Sequence, residues 1–243
     1  MYDEFAMIYD RFMSDIPYEE WASYIDEVVR ANVVASEDKL KLLELGCGSG
    51  NLTSYLAKTY DVTGIDISKK MLEMAKGKCI DAKLYEMDMR DMKLDERFDV
   101  IVSFCDCMNY MPDKKGLFDT FAESYRLLED GGVFVFDMKT ECYFRYDLDN
   151  STIVEDEDDV YLVWQNCYDS KKKENQYMID FFVKDGEKYE RYREVQSQYA
   201  YTIAEVKELL VKAGFEAEVV AEDGQSDGSE DEVRNFFVCR KKR

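Results

Sequence analysis

From Leu40 onward, short apolar runs alternate with segments whose apolar residues recur every three to four positions. The runs LKLLEL (40–45), DVTGID (61–66), AKLYEM (82–87), FDVIVSF (98–104) and VFVFDM (133–138) read as strands. The last is continuously apolar, as expected of a strand covered on both faces. Between them, Asn51 to Lys58 reads as a helix start. Ser68 caps a helix through Lys78, with Met71, Leu72 and Ala75 on one face. Asp113 caps another helix to Leu128, ended by Asp130-Gly131-Gly132. Strands alternating with helices in this way predict an α/β fold around a parallel sheet. Upstream, Tyr18 to Val34 predicts an amphipathic helix with Trp21, Tyr24, Ile25 and Val28 on one face.

The rhythm changes between about Thr152 and Tyr201. DVYLVWQNCYD, the polar turn SKKKE, QYMIDFFVKDG and EKYERYREVQSQYAY alternate with period two. Three or four antiparallel strands joined by short hairpins fit this pattern. The α/β rhythm then resumes. Thr202 to Lys212 is a helix closed by Gly214, and FEAEVVAE and EVRNFFVCR are strands flanking an acidic loop at 223–232.

The chemistry concentrates where the first strand meets its helix. Glu44-Leu45-Gly46-Cys47-Gly48-Ser49-Gly50-Asn51 runs from a strand end through glycines into a helix start. Glycines there let a ligand approach the backbone and leave helix N–H groups free. Asp66 ends the next strand, where a carboxylate can take both hydroxyls of a ribose. Together they predict a nucleoside-containing cofactor. A dinucleotide fingerprint would need a third glycine where Asn51 stands. Glu44 would also repel a pyrophosphate, by about 1–4 kcal/mol across 4 Å in water-like to surface-like dielectric. It would attract the ammonium of an S-adenosylmethionine tail.

Composition narrows the chemistry further. The 243 residues include no histidine, which excludes Ser-His-Asp and Cys-His nucleophile pairs and His-ligated zinc. Lys and Arg number 32 against 53 Asp and Glu, a net charge of −21. That balance argues against nucleic acid and anionic membrane as partners. The seven cysteines form no C-x-x-C, so no metal site is expected, and reduced thiols in a cytoplasmic protein fit best. The N-terminus carries acids where a signal peptide would carry Lys or Arg. No apolar run approaches the roughly 18 residues that a membrane helix needs.

With these residues in place, the chain resembles the class I S-adenosylmethionine-dependent methyltransferases over nearly its whole length. The family's E-x-G-x-G-x-G motif matches Glu44, Gly46, Gly48 and Gly50, which the resemblance implies hold the methionyl part. Asp66, with its neighbour Ile67, matches the ribose-binding position. Asp88, in Glu86-Met87-Asp88-Met89-Arg90-Asp91, matches the aspartate that holds the adenine amino group. The resemblance places Cys47, Met71, Met89 and Phe104 at the same cofactor site. It implies a doubly wound, seven-stranded Rossmann-like methyltransferase sheet of order 3-2-1-4-5-7-6 with the seventh strand antiparallel, and an antiparallel β insertion after the fifth strand. The cofactor-binding domain would comprise residues 1–140 and 201–243, with lid helices in 1–35. Residues 141–200 would be the insertion, on the substrate side.

A narrower resemblance, to small-molecule enzymes such as the aminosugar N,N-dimethyltransferases, rests on Phe5-Ala6-x-x-Tyr9-Asp10-Arg11-Phe12, the D-M-R-D run and the insertion. Their N-terminal segment folds over the cofactor, which makes Tyr9 and Tyr18 candidates for lining it. That branch carries a histidine after the fourth strand, where Cys107-Met108-Asn109-Tyr110-Met111 has Tyr110. Gln196 stands near another position where relatives often show histidine. Proton chemistry therefore falls to Tyr, Asp, Glu or solvent, and Tyr110 and Tyr199 are the catalytic candidates.

The reading is methyl transfer to a nitrogen or oxygen of a small-molecule acceptor. Two rivals stay open: a non-catalytic S-adenosylmethionine binder, and a dinucleotide-dependent oxidoreductase. The insertion would serve as an active-site roof, as the platform of a homodimer, or as both.

Overall fold

The computed structural model of the protein describes residues 10–13, 15–34 and 36–242. Phe5, Ala6 and Tyr9 therefore lie outside the described residues. In chain order the strands are β1 (Lys41–Leu45), β2 (Asp61–Asp66), β3 (Lys83–Glu86), β4 (Phe98–Ser103), β5 (Leu128–Lys139), β6 (Thr152–Asp156), β7 (Val160–Asp169), β8 (Glu174–Asp185), β9 (Lys188–Tyr199), β10 (Glu216–Ala221) and β11 (Arg234–Arg240). The helices are α1 (Tyr18–Asn32), α2 (Asn51–Leu56), α3 (Lys69–Lys78), α4 (Lys114–Leu127) and α5 (Ile203–Ala213).

The main sheet runs β3-β2-β1-β4-β5-β11-β10, with β11 antiparallel to both of its neighbours. This is the order that the resemblance implied. Alternation along the central strands explains why helices cover both faces. In β5, Phe134, Phe136 and Met138 pack with Phe121 of α4 and Leu209 and Leu210 of α5. Val133 and Val135 point the other way, toward Trp21, Ile25 and Val29 of α1 and Leu52 and Leu56 of α2. Edge strand β3 is short and largely solvent-facing, as an edge tolerates.

The helix boundaries follow side-chain caps. Ser68 accepts from Met71 N at the start of α3, and Asp113 accepts from Gly116 N at the start of α4. Thr202 and Glu205 form a reciprocal capping box on α5, which Gly214 closes with φ 112°. One boundary differs from expectation. Helix α4 ends at Leu127 and the chain pairs at once as strand, Leu128 lying opposite Phe98 before a register shift. The glycines at 131 and 132 thus lie within β5 rather than terminating the helix.

The second sheet is an antiparallel meander, β6-β7-β8-β9. Its inner face packs Leu162, Tyr177, Ile179 and Phe181 against Phe144 and Leu148, which lie in a wide helical turn at Tyr143–Leu148. Periodicity did not reveal that turn, nor the 3-10 turn at Cys107–Tyr110. Both are too short for a repeat to register.

Candidate active site

The carboxyl end of β1 leads into a turn in which Gly46, Gly48 and Gly50 all have positive φ, at 69°, 54° and 82°. Space adds to the demand for glycine at two of them. A Cβ on Gly46 would stand 2.6 Å from Cys107 Sγ, and one on Gly50 would stand 2.8 Å from Cys79 Sγ. The turn is pinned to β2 by its backbone. Gly48 N donates to Asp66 Oδ2 at 2.9 Å, while Ser68 N donates to Asp66 Oδ1 at 2.7 Å. Burial pushes the Asp66 carboxyl up, against the opposing pull of these N–H groups.

Glu44 is 3% exposed. Thr53 Oγ1, one helical turn into α2, donates to it at 2.6 Å. Burial raises its pKa to about 8 in spite of that hydrogen bond, and the charge of Asp66 adds to the rise. Glu44, Gly46, Cys47 and Gly48 line one small cavity with Tyr18, Ser49, Asn51, Phe104 and Cys105. Six sequence-derived candidates therefore converge: Tyr18, Glu44, Gly46, Cys47, Gly48 and Phe104.

The other candidates have separate surroundings. Ile67 is 62% exposed beside Asp66. Asp88 is held by Arg90, whose Nε and backbone N both donate at 2.9 Å, and this contact lowers its pKa. Met89 reaches the turn, its Cε 3.5 Å from where a Gly46 Cβ would be. Met71 does not line the cavity; it is buried with Phe144 and Leu148 under the second sheet. Tyr9 lies outside the described residues.

Asp10, the next residue, closes over the glycine turn. It accepts from Ser49 Oγ at 2.5 Å and Asn51 Nδ2 at 3.1 Å, and pairs with Lys78 at 2.6 Å. Arg11 bridges to Glu157 and Asp159 at the β6–β7 turn, at 2.7 and 2.6 Å. The two side chains tie the glycine turn to the second sheet.

After β4 the chain makes an unusual turn. Cys105 and Asp106, neither of them glycine, have φ of 63° and 51°. A buried polar network holds them there. The Asp106 backbone N donates to Asp137 at 3.0 Å. The Asp106 carboxylate accepts from Gln198 Nε2 at 2.5 Å and Arg234 at 3.1 Å, and lies 3.4 Å from Lys139 Nζ. Burial opposes the charge on Asp106, but Lys139 and Arg234 outweigh it and hold the carboxyl below its usual range. Arg234 also pairs with Asp137 and lies over the Trp21 ring at 5.2 Å. Asn109 extends the clamp, its Nδ2 donating to the carbonyls of Lys139 and Tyr199 at 3.0 Å each.

This turn delivers Tyr110, whose hydroxyl donates to Gln196 Oε1 at 2.9 Å. The two tyrosine candidates are not brought together. Gln196 and Tyr199 are an odd number of residues apart on β9, so their side chains leave opposite faces. The Tyr199 hydroxyl is directed to Glu174 on β8, at 3.4 Å. Sequence reasoning did not assign Thr53, Lys139, Gln198 or Arg234 to the site. Each is joined to it only by a tertiary contact, so periodicity carries no signal for them.

Residues 42–132 match the family described as a methyltransferase domain. The chain is 30% identical over 249 residues to the methyltransferase-named YqeM of Bacillus subtilis, covering 100% of this chain and 98% of that one. It is 32% identical over 139 residues to the dTDP-3-amino-3,4,6-trideoxy-alpha-D-glucopyranose N,N-dimethyltransferase of Streptomyces venezuelae, covering 56% and 57% of the two chains. A solved S-adenosylmethionine-dependent methyltransferase from Clostridium acetobutylicum superposes with a TM-score of 0.87 at 27% identity, over 99% of this chain and 98% of that one.

Proposed function

Because the chain belongs to the S-adenosylmethionine-dependent methyltransferases of the small-molecule type, we propose that this site methylates a nitrogen, in preference to an oxygen, of a small acceptor. The observation that carries the reading is Glu44, a buried carboxylate at the end of β1 beside a glycine turn. Such a group suits an ammonium and disfavours a phosphate. Outside that cavity, the carboxylates of Asp66 and Asp88 suit the rest of the cofactor's polar chemistry. Glu44 would hold the methionyl ammonium, Asp66 the ribose hydroxyls and Asp88 the adenine amino group. Gly46, Cys47, Gly48, Met89, Phe104 and Tyr18 would pack around it, with Ile67 over the adenine.

S-adenosylmethionine, when bound, supplies an electrophilic methyl group on a sulfonium. The protein must then align the acceptor, which can be worth about 7–11 kcal/mol for well-oriented groups, and receive one proton. Tyr110 would stand at the acceptor end, a role supported by its hydrogen bond to Gln196 of the insertion. Nitrogen is favoured by the amino sugar in the name of the Streptomyces relative, and by Glu194. Glu194 is a buried carboxylate on the same face of β9 as Gln196, one pleat from the partner of Tyr110. It can orient a protonated amine and accept the proton released on methylation. Residues 141–200 are taken as the substrate-side insertion. All seven cysteines are free, which supports a reducing, cytoplasmic setting.

The test is thermal denaturation with S-adenosylmethionine, S-adenosylhomocysteine and NAD, followed by mass-spectrometric detection of methyl transfer to a panel of amines, amino sugars and alcohols. The first two ligands should raise Tm and NAD should not. Stabilisation by NAD alone would sink the reading. Tight binding with no turnover across the panel would leave a non-catalytic binder.

A further inference from the structure

Two glutamines lie two residues apart on one face of β9, and the structure treats them differently. Gln198 is satisfied at both ends: its Oε1 accepts from Tyr177 Oη at 2.5 Å, and its Nε2 donates to Asp106 at 2.5 Å. Gln196 is satisfied at one end only. Its Oε1 accepts from Tyr110, which turns the amide nitrogen the other way, and Nε2 is buried with no hydrogen-bond partner. A second donor on this sheet face shares that condition. Trp164 Nε1 is buried and unpartnered, and its ring packs edge-on against Tyr177 at 5.4 Å. Strand pairing sets Trp164 in the row Trp164–Ile179–Glu194, next to the row Asn166–Tyr177–Gln196. The two donors thus stand on one surface, on β7 and β9 with β8 between them, and Tyr110 joins that surface to the turn after β4.

Folded proteins seldom leave a buried donor without an acceptor, and a site built to hydrogen-bond a ligand is a standard reason for an exception. Tyr168 Oη and Asn175 Oδ1 share that condition in the row of Gln198, whereas Gln196 and Trp164 are both N–H donors, for which the complementary ligand group is an oxygen or other lone-pair acceptor. We propose that Gln196 and Trp164 are specificity-determining residues that read a hydrogen-bond-accepting oxygen on the methyl acceptor, next to its nucleophilic atom. The proposal rests on the methyl-transfer reading of the site. Gln196 has a second task, since by accepting from Tyr110 it fixes the direction of that hydroxyl beside the nucleophile. The acceptor class is therefore one with a donor and an acceptor on neighbouring atoms, as in a vicinal amino alcohol.

Two measurements on the full chain test this. The first is Tm without acceptor. Trp164→Phe keeps the ring and deletes only the N–H, so it should match or exceed wild type, whereas Gln198→Leu should lose several degrees. A loss in Trp164→Phe as large as that in Gln198→Leu would mean that the indole N–H serves the fold, and would overturn the proposal. The second uses trans-2-aminocyclohexanol and cyclohexylamine at millimolar concentration, each added to the S-adenosylhomocysteine complex. The hydroxylated probe should give the larger rise in Tm with wild type, and Trp164→Phe and Gln196→Met should abolish its advantage. No preference in wild type, or a preference that survives both substitutions, overturns the proposal as well. All variants should keep the shift given by S-adenosylhomocysteine alone. Its absence in wild type would count against the methyl-transfer reading itself, separately from the role of the two donors.

Discussion

Glu44 makes a prediction of its own at the scale of a single residue. Its pKa of about 8 means that the carboxyl is mostly protonated at pH 7 before ligand binds. An ammonium placed beside it favours the charged form, so binding must expel a proton. Calorimetry with S-adenosylmethionine in buffers of different ionisation enthalpy should show up to about one proton released near pH 7, and little above pH 9. Glu44→Gln should abolish the release and weaken binding about 10- to 100-fold, as expected for a lost charge-assisted hydrogen bond. The same shift has a sign for stability. A group whose pKa is raised by folding stabilises below its unfolded value, and that contribution fades as pH rises. Between the ordinary carboxylate range and about pH 8, Glu44 should therefore make the unliganded protein progressively less stable. Urea denaturation across that window, compared with Glu44→Gln, measures the slope.

At the scale of elements, the turn after β4 is the joint that most depends on its neighbours. Asp106→Ala would leave Lys139 and Arg234 without their shared carboxylate, and should cost about 3–5 kcal/mol in urea denaturation. Thr202→Ala removes half of a capping box from α5 and should cost about 1 kcal/mol, with ligand binding unchanged. These two elements also mark how far the sequence could be read. The caps at Ser68 and Asp113 were legible because capping is local. The glycine turn, Glu44 and Asp66 were legible because a strand–turn–helix unit places them within about one β-α-β repeat. The turn at 105–110 was not, because its left-handed backbone at Cys105 and Asp106 is imposed by side chains from β5, β9 and β11. Tyr199 shows the same boundary from the other side. A period-two strand was evident, but which face it turned to the site depended on pairings across the insertion.

For the whole molecule, the net charge of −21 is the dominant fact. Among the described residues no helix is long and apolar enough to cross a membrane. A cleft of about 790 Å³ beside α1 gathers Glu19, Glu20, Glu27, Glu222 and Asp223 along its walls. Such like charges repel one another more at low ionic strength, where the screening length is about 30 Å at 0.01 M and about 3 Å at 1 M. The melting temperature should therefore rise as NaCl is raised across that range; a flat profile would mean that ion pairs already balance the repulsion. The buried network around Asp106 should be nearly indifferent to the same salt. That network also has a consequence in time. The contacts around the glycine turn close over short stretches, Thr53 to Glu44 spanning 9 residues and Gly48 to Asp66 spanning 18. Asp106 must wait for Gln198, 92 residues downstream, and Arg234, 128 downstream. Long closures of this kind slow folding. A chain emerging in order can thus assemble its glycine turn and the contacts of Glu44 and Asp66 well before it has the parts to hold Tyr110 in place.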